Sequence, residues 1–259
     1  MNFYECIKTC PLAKQNSAHT IDIKRGIPIF VSNIENKELY FSPVGNIVNN
    51  PSVIICGQTP DKTTMKKFYS YVASGISLEY SGTKIIYSNT TMRKNLFIAL
   101  QAIGFFEYMK KINPYWKNNN IDLSWNSLFE KNNITSGVQL TQSCNCAIIE
   151  GNSSKQPSKA VISKLSNSAP ACLFNSFRLS DNLKLIIFLD SPSNDGRYHQ
   201  IDFFKKTEMY KWCIDNNVKI ISIPHPSGAN RIYNNHKDLC TNKYIINSKN
   251  VICQLLHND

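Results

Sequence analysis

Four short apolar runs rich in β-branched residues constrain this chain more than any other feature: Ser52–Cys56 (SVIIC), Gly137–Thr141 (GVQLT), Lys184–Leu189 (KLIIFL) and Val218–Ile223 (VKIISI). Runs of this length and kind form strands buried on both faces. The segments between them have helical periodicity: Lys62–Ala73, Thr91–Gly104 and Phe203–Asn216. Strands alternating with helices require crossover connections, so the expected fold is α/β, a three-layer α/β/α arrangement around a central, mostly parallel four-stranded sheet. Ligands of such sheets bind beyond the carboxyl ends of the strands, which says where chemistry should be sought.

Length and composition agree with one sizeable domain. The chain has 259 residues, 42 % of them hydrophobic, which is enough to bury a core without a disulfide framework and excludes general disorder. We read it as a single domain with an N-terminal segment 1–50, a core 51–232 and a C-terminal segment 233–259. No run approaches the ~20 apolar residues of a membrane span. The start, MNFYECIKTCPLAK, carries acid and lysine where a signal peptide would be continuously apolar. The expected setting is therefore a reducing cytosol, where nine cysteines, an odd number, serve as free thiols or metal ligands before disulfides. Twenty-nine Lys and Arg against 18 Asp and Glu give a formal charge of +11, which points to a polyanionic partner, nucleic acid first.

Two strand ends carry unusual residues. The first strand runs into Gly57-Gln58-Thr59-Pro60-Asp61-Lys62, where glycine permits close backbone approach and proline fixes the turn before a helix. The last runs into Pro224-His225-Pro226-Ser227-Gly228-Ala229-Asn230-Arg231, a stiff loop that holds an imidazole at the ligand end of the sheet. Either segment alone reads equally well as a tight turn between strand and helix. Both together, on one sheet, mark a site.

These residues resemble the uracil-DNA glycosylase superfamily, which places a G-x-x-P loop after its first core strand and an H-P-S/A loop ending in a basic residue after its last. GQTPD and HPSGANR stand in those places here, and Gln139-Leu140-Thr141-Gln142 stands where the family has a base-reading Thr-Asn. The order agrees across residues 50–232. The resemblance implies a glycosylase that flips uracil or a modified pyrimidine out of DNA and hydrolyses its glycosidic bond, in repair or in defence against phage DNA with modified bases. It makes His225 the donor to the base carbonyl as that oxygen becomes anionic. Gly57, Gln58 and Thr59 become the loop that contacts base and water, with Gln142 as the base reader. It also places Ser227, Gly228, Asn230, Arg231 and Ile232 against DNA.

The iron–sulfur branches of that superfamily have an N-terminal cysteine pair followed by Pro-Leu, a cysteine four residues after the Thr-Asn, and a further cysteine in the next helix. Cys6, Cys10, Cys146 and Cys172 occupy the matching order, which implies a [4Fe–4S] cluster. Cys56, Cys213 and Cys253 sit in apolar patterns and read as core; Cys144 and Cys240 have no assignment.

The sequence also departs from the pattern. Three residues separate Cys6 from Cys10 where the family has two, and Cys146 and Cys172 lie further apart than usual. Gln142 is one methylene longer than asparagine, and neither Gln58 nor Thr59 is a strong base. Asp61, the loop's one carboxylate, either activates water or caps the following helix. No P-F-x-G segment supplies the aromatic wall; Tyr87 either stacks on a flipped base or packs as an ordinary core or strand tyrosine. His19, His199, His236 and His257 read as surface or packing residues. Residues 61–117 hold nine Lys and Arg against three Asp and Glu, +6 of the total, beside the first loop, which favours phosphate contacts. The main expectation is a monomeric DNA glycosylase. A non-catalytic DNA-binding relative is the alternative.

Overall fold

The computed structural model describes residues 10, 12, 25–46, 48–87, 89–119, 136–150, 158–168, 172–190, 199–227 and 230–258, so Cys6 and Gly228 lie outside the described residues. The central sheet has four strands, β3 (Val53–Gly57), β4 (Val138–Gln142), β6 (Leu185–Leu189) and β7 (Lys219–Ile223), in the order β4-β3-β6-β7. Every pairing in it is parallel. Each expected strand run contains one of these strands to within a residue at either end. All five residues of β3, β4 and β6 are buried, as the absence of polar alternation in their sequences requires. Helices cover the sheet, giving the three-layer α/β/α architecture.

A second sheet was not foreseen. Strands β1 (Phe30–Ile34) and β2 (Lys37–Phe41) form a hairpin whose two-residue turn, Glu35-Asn36, has positive φ at both positions (48° and 61°). That is the backbone a right-twisted two-residue hairpin demands. β2 pairs antiparallel with β5 (Cys146–Ile149), so the segment Ser143–Asn145 carries the chain from the parallel sheet directly into the antiparallel one. Residues 30–41 of the N-terminal segment are thus built into the fold. The last helix, Lys243–Asn258, is equally part of it and packs on β7.

The helices follow their caps. Lys62–Ala73 begins where expected because Asp61 accepts from the Thr64 amide, and Thr90–Ala102 ends before Gly104, whose φ is 79°. The expected single helix 203–216 is two, Gln200–Phe204 and Glu208–Asp215. Thr207 breaks it: its hydroxyl donates to the Phe204 carbonyl at 2.7 Å and accepts from the Tyr210 amide at 3.3 Å, replacing helix hydrogen bonds with a cap. Among the described residues no helix is long and apolar enough to cross a membrane.

One continuous core joins both sheets and the helices. Phe174, Phe177, Phe188 and Phe204 interlock with centroid separations from 5.1 to 6.2 Å and fix the helix Gln200–Phe204 against the middle of the sheet. β4 is an edge strand of the parallel sheet. Asn46 caps that edge with its side chain, accepting from Leu140 N at 2.6 Å and donating to Val138 O at 3.0 Å.

Candidate active site at the carboxyl edge of the sheet

Parallel pairing places Gln142 and Gly57 side by side at the carboxyl ends of β4 and β3, and sets Asp190 and Pro224, the residues directly after β6 and β7, along the same edge one residue further out. Loop residues far apart in sequence therefore meet along one edge. The first loop is fixed from behind. Ser143 N donates to Gly57 O at 2.8 Å, Ser143 Oγ donates to Gln58 O at 2.6 Å, and Cys144 N adds a contact to the same carbonyl at 3.2 Å.

Gly57, Tyr87 and Gln142 form one cluster. A Cβ on Gly57 would collide with Gln142 Oε1 and come within 3.0 Å of Gln142 Cδ and the Tyr87 hydroxyl, so the Gln142 amide lies directly across the glycine. Gln142 is 6 % exposed, and its Oε1 has no hydrogen-bond partner among the described residues. A buried amide oxygen left in this state costs about 1–3 kcal/mol unless something supplies a donor. Tyr87 is buried and donates to Thr141 O at 2.9 Å. It sits at a strained corner, φ 47°, held by Arg93, whose Nε donates to the Tyr87 carbonyl at 2.6 Å. Tyr87 is therefore a core tyrosine, as one of the two sequence readings had it, and not a strand residue; its hydroxyl forms one side of this cluster.

On the other side, Asn230 closes the His225 loop by donating from Nδ2 to His225 O at 3.1 Å and from its amide to Ser227 O at 3.0 Å. The Tyr233 hydroxyl donates to Pro224 O. Burial pushes the His225 imidazole down to about 4, so it is neutral at pH 7 and offers one N–H donor and one acceptor. Arg231 is exposed and Ile232 half-buried at the head of the turn Arg231–Asn234.

Asp61 resolves toward the helix. It is exposed, and its Oδ1 accepts from Thr64 N at 2.6 Å, a cap that uses the carboxylate the loop offered for water. Thr59 is half-buried, while Gln58, 7 % exposed, turns inward and donates from Nε2 to Asp190 Oδ1 at 3.3 Å. Asp190 was missed from sequence. It follows β6 directly, is 3 % exposed, and accepts from Gln200 N at 2.7 Å through Oδ2. His199, read from sequence as surface or packing, has Nδ1 3.5 Å from Asp190 Oδ1. Burial is the largest influence on Asp190 and raises its carboxyl to about 6, against the hydrogen bonds and His199, which lower it.

The cysteines meet elsewhere. Cys10, Cys144, Cys146 and Cys172 line one small cavity with Phe41 and Asn145, and Cys10 Sγ lies 3.8 Å from Cys172 Sγ. Cys172 is not in the helix before β6, which ends at Ser168; it lies beyond it, beside an isolated bridge between Cys144 and Leu173. A hydrogen bond with Cys146 is the main influence that lowers the Cys144 thiol below its ordinary value. The sulfurs of the cysteines lining the cavity are a donor type that iron–sulfur clusters use, although no group of three or more His, Cys, Asp or Glu among the described residues is already arranged around a single ion. Cys144 was unassigned from sequence; its place here follows from the turn between β4 and β5. Cys56 and Cys213 are buried, as expected of core thiols, and Cys253 is half-buried.

The basic stretch divides. Arg93 and Lys111 serve the structure, Lys111 by donating to Leu256 O at 2.8 Å, whereas Lys66, Lys67 and Lys94 are exposed. No family model matches this chain, and no curated protein or solved structure matches it.

Proposed function

We propose that the chain is a DNA glycosylase of the uracil-DNA glycosylase superfamily, which flips uracil or a modified pyrimidine out of DNA and hydrolyses its N-glycosidic bond to leave an abasic site. The observation that carries the reading is the Gln142 amide, buried, without a partner for its oxygen, and held across Gly57 against Tyr87 at the carboxyl edge of the sheet. A flipped base offers the hydrogen-bonding edge such a group needs. Breaking the bond leaves negative charge on the departing base. A neutral His225, which loses no proton in donating a hydrogen bond, stabilises that charge as it forms.

Arg231 and Ile232 probe the helix beside the gap, Ser227, Gly228 and Asn230 hold the loop against phosphate, and exposed Lys66 and Lys67 add phosphate contacts. The longer Gln142 and the missing P-F-x-G wall favour a base other than plain uracil and, with it, a defensive role against modified phage DNA. The protein acts as a monomer in a reducing cytosol. The proposal includes a structural [4Fe–4S] cluster held by Cys6, Cys10, Cys146 and Cys172, with Cys144 in the same cavity; the cluster would tie the N-terminal segment to the start of β5 and to the segment before β6.

A non-catalytic DNA-binding relative is favoured by one observation, the use of Asp61 as a helix cap. Alkali cleavage of oligonucleotides bearing uracil, hypoxanthine or hypermodified cytosines separates the two: the glycosylase leaves alkali-labile sites in at least one, and the binder retains DNA affinity while cutting none.

A further inference from the structure

We infer that Asp190, held by Gln58 and the Gln200 amide with His199 beside it, is the carboxylate that positions and deprotonates the attacking water. The inference rests on the glycosylase reading above and deepens it. A hydrolytic site needs an acceptor for the water proton, and the first loop no longer has one, because the Asp61 carboxylate faces solvent and caps a helix. Asp190 directly follows β6, the strand between the two loop-bearing strands β3 and β7, and its own amide donates to Ile223 O at 2.8 Å, just before the His225 loop. It lies between the two loops that hold the substrate.

Its contacts tie it to both sides. Gln58 reaches it from the first loop at 3.3 Å, His199 stands 3.5 Å away, and Gln200 N fixes the second oxygen at 2.7 Å. Among the described residues the other titratable group facing it is Cys56 of β3, whose thiol lies within hydrogen-bond reach of Gly57 O and Gln200 Oε1 and is pushed well above its ordinary value by burial first and the Asp190 charge second. With a carboxyl near 6, Asp190 is ionised at pH 7 yet far more basic than a solvated aspartate, as a general base requires.

In the step, the water oxygen bonds to C1′ of the sugar as its proton passes to Asp190. The C1′–N bond breaks, and its electron pair leaves with the base, whose anion accepts the hydrogen bond from His225. Asp190 then returns the proton to solvent, so no further reactant is needed.

The test is single-turnover excision between pH 4.5 and 9 on whichever base the oligonucleotide panel identifies. Asp190→Asn is expected to lower the rate at pH 7 by about 10²–10⁴-fold, the usual worth of a general base, to remove the acid limb near pH 6, and to leave DNA affinity within twofold. Gln58→Ala guards against misfolding of that variant: losing the amide donor raises the Asp190 carboxyl, so the acid limb moves upward in a protein that keeps the charge. An Asp190→Asn rate within threefold of wild type, or an acid limb that survives there and vanishes in Asp61→Asn, overturns the assignment and leaves the glycosylase reading standing. A wild type that releases no base from any substrate overturns both.

Discussion

Gly57→Ala is the substitution whose effect the geometry sets most tightly. The φ of Gly57 is not in the left-handed region, so alanine meets no backbone penalty, and the whole cost is space. The added methyl collides with Gln142 Oε1 and crowds Gln142 Cδ and the Tyr87 hydroxyl, both at 3.0 Å. Backbone is not among the three nearest atoms, so the fold survives and the Gln142 amide moves. Because Gln142 is 6 % exposed, it cannot simply swing into solvent, and overpacking of this kind costs about 1–3 kcal/mol. At this chain length that lowers Tm by roughly 2–4 °C per kcal/mol.

The functional effect should exceed the effect on stability, since displacing a positioning group by about 1 Å is worth on the order of 10² in rate. Urea unfolding of Gly57→Ala, Gln142→Asn and the double variant measures the coupling directly. Shortening the amide side chain should recover part of the loss, with an interaction energy of about 0.5–3 kcal/mol. Additive effects, or Gly57→Ala indistinguishable from wild type in both stability and excision, would show that Gln142 does not lie across the glycine and would remove the cluster on which the proposed base recognition rests.

Two further outcomes are expected. Asp190 has a folded value raised from 3.8 to about 6, so its contribution to stability is full below the lower value and is lost as pH rises through the upper one. His225 is lowered from 6.5 to about 4, so its contribution is full above the unfolded value and is lost as pH falls toward the folded one. The two slopes oppose each other between pH 4 and 6. Relative to wild type, Asp190→Asn should make stability rise more steeply with pH there, and His225→Gln should make it rise less, each by at most about 1.4 kcal/mol per pH unit; matching slopes in urea titrations of all three proteins would contradict the burial of both groups. Anaerobically purified protein should be brown, absorb near ~400 nm and carry about four irons per chain, with the colour lost in Cys10→Ser or Cys172→Ser and kept in Cys240→Ser. Colourless, iron-free and well-folded wild type would rule out the cluster.

The parallel sheet was legible because strands buried on both faces leave an unmistakable apolar run, as SVIIC and KLIIFL do. The antiparallel sheet was not. β1 and β2 are five residues each, half-buried and interleaved with polar side chains, so their pattern is shared with many loops. At the site, Gly57 and His225 were readable because proline and glycine around them punctuate the chain. Asp190 obeys the same strand-end rule, following KLIIFL directly, yet a lone aspartate after a strand also reads as an ordinary turn. Only folding brings Gln58 to it, 132 residues away in sequence, and sets His199 beside its carboxylate. Asp61 was ambiguous for a different reason: capping a helix and activating water ask for the same carboxylate at the same loop position, and only the 2.6 Å contact with Thr64 N separates them.

The central claim is that His225 and its neighbours cleave a glycosidic bond. Mass-spectrometric detection of free base released from the modified-oligonucleotide panel, comparing wild type with His225→Ala at equal DNA occupancy, tests it most directly. The account predicts a released base and a matching abasic site with wild type, and a rate at least about 10²-fold lower in the variant, the usual cost of losing one donor to a developing anion. Tight DNA binding by wild type with no base released from any substrate, or release that His225→Ala leaves unchanged, would contradict it.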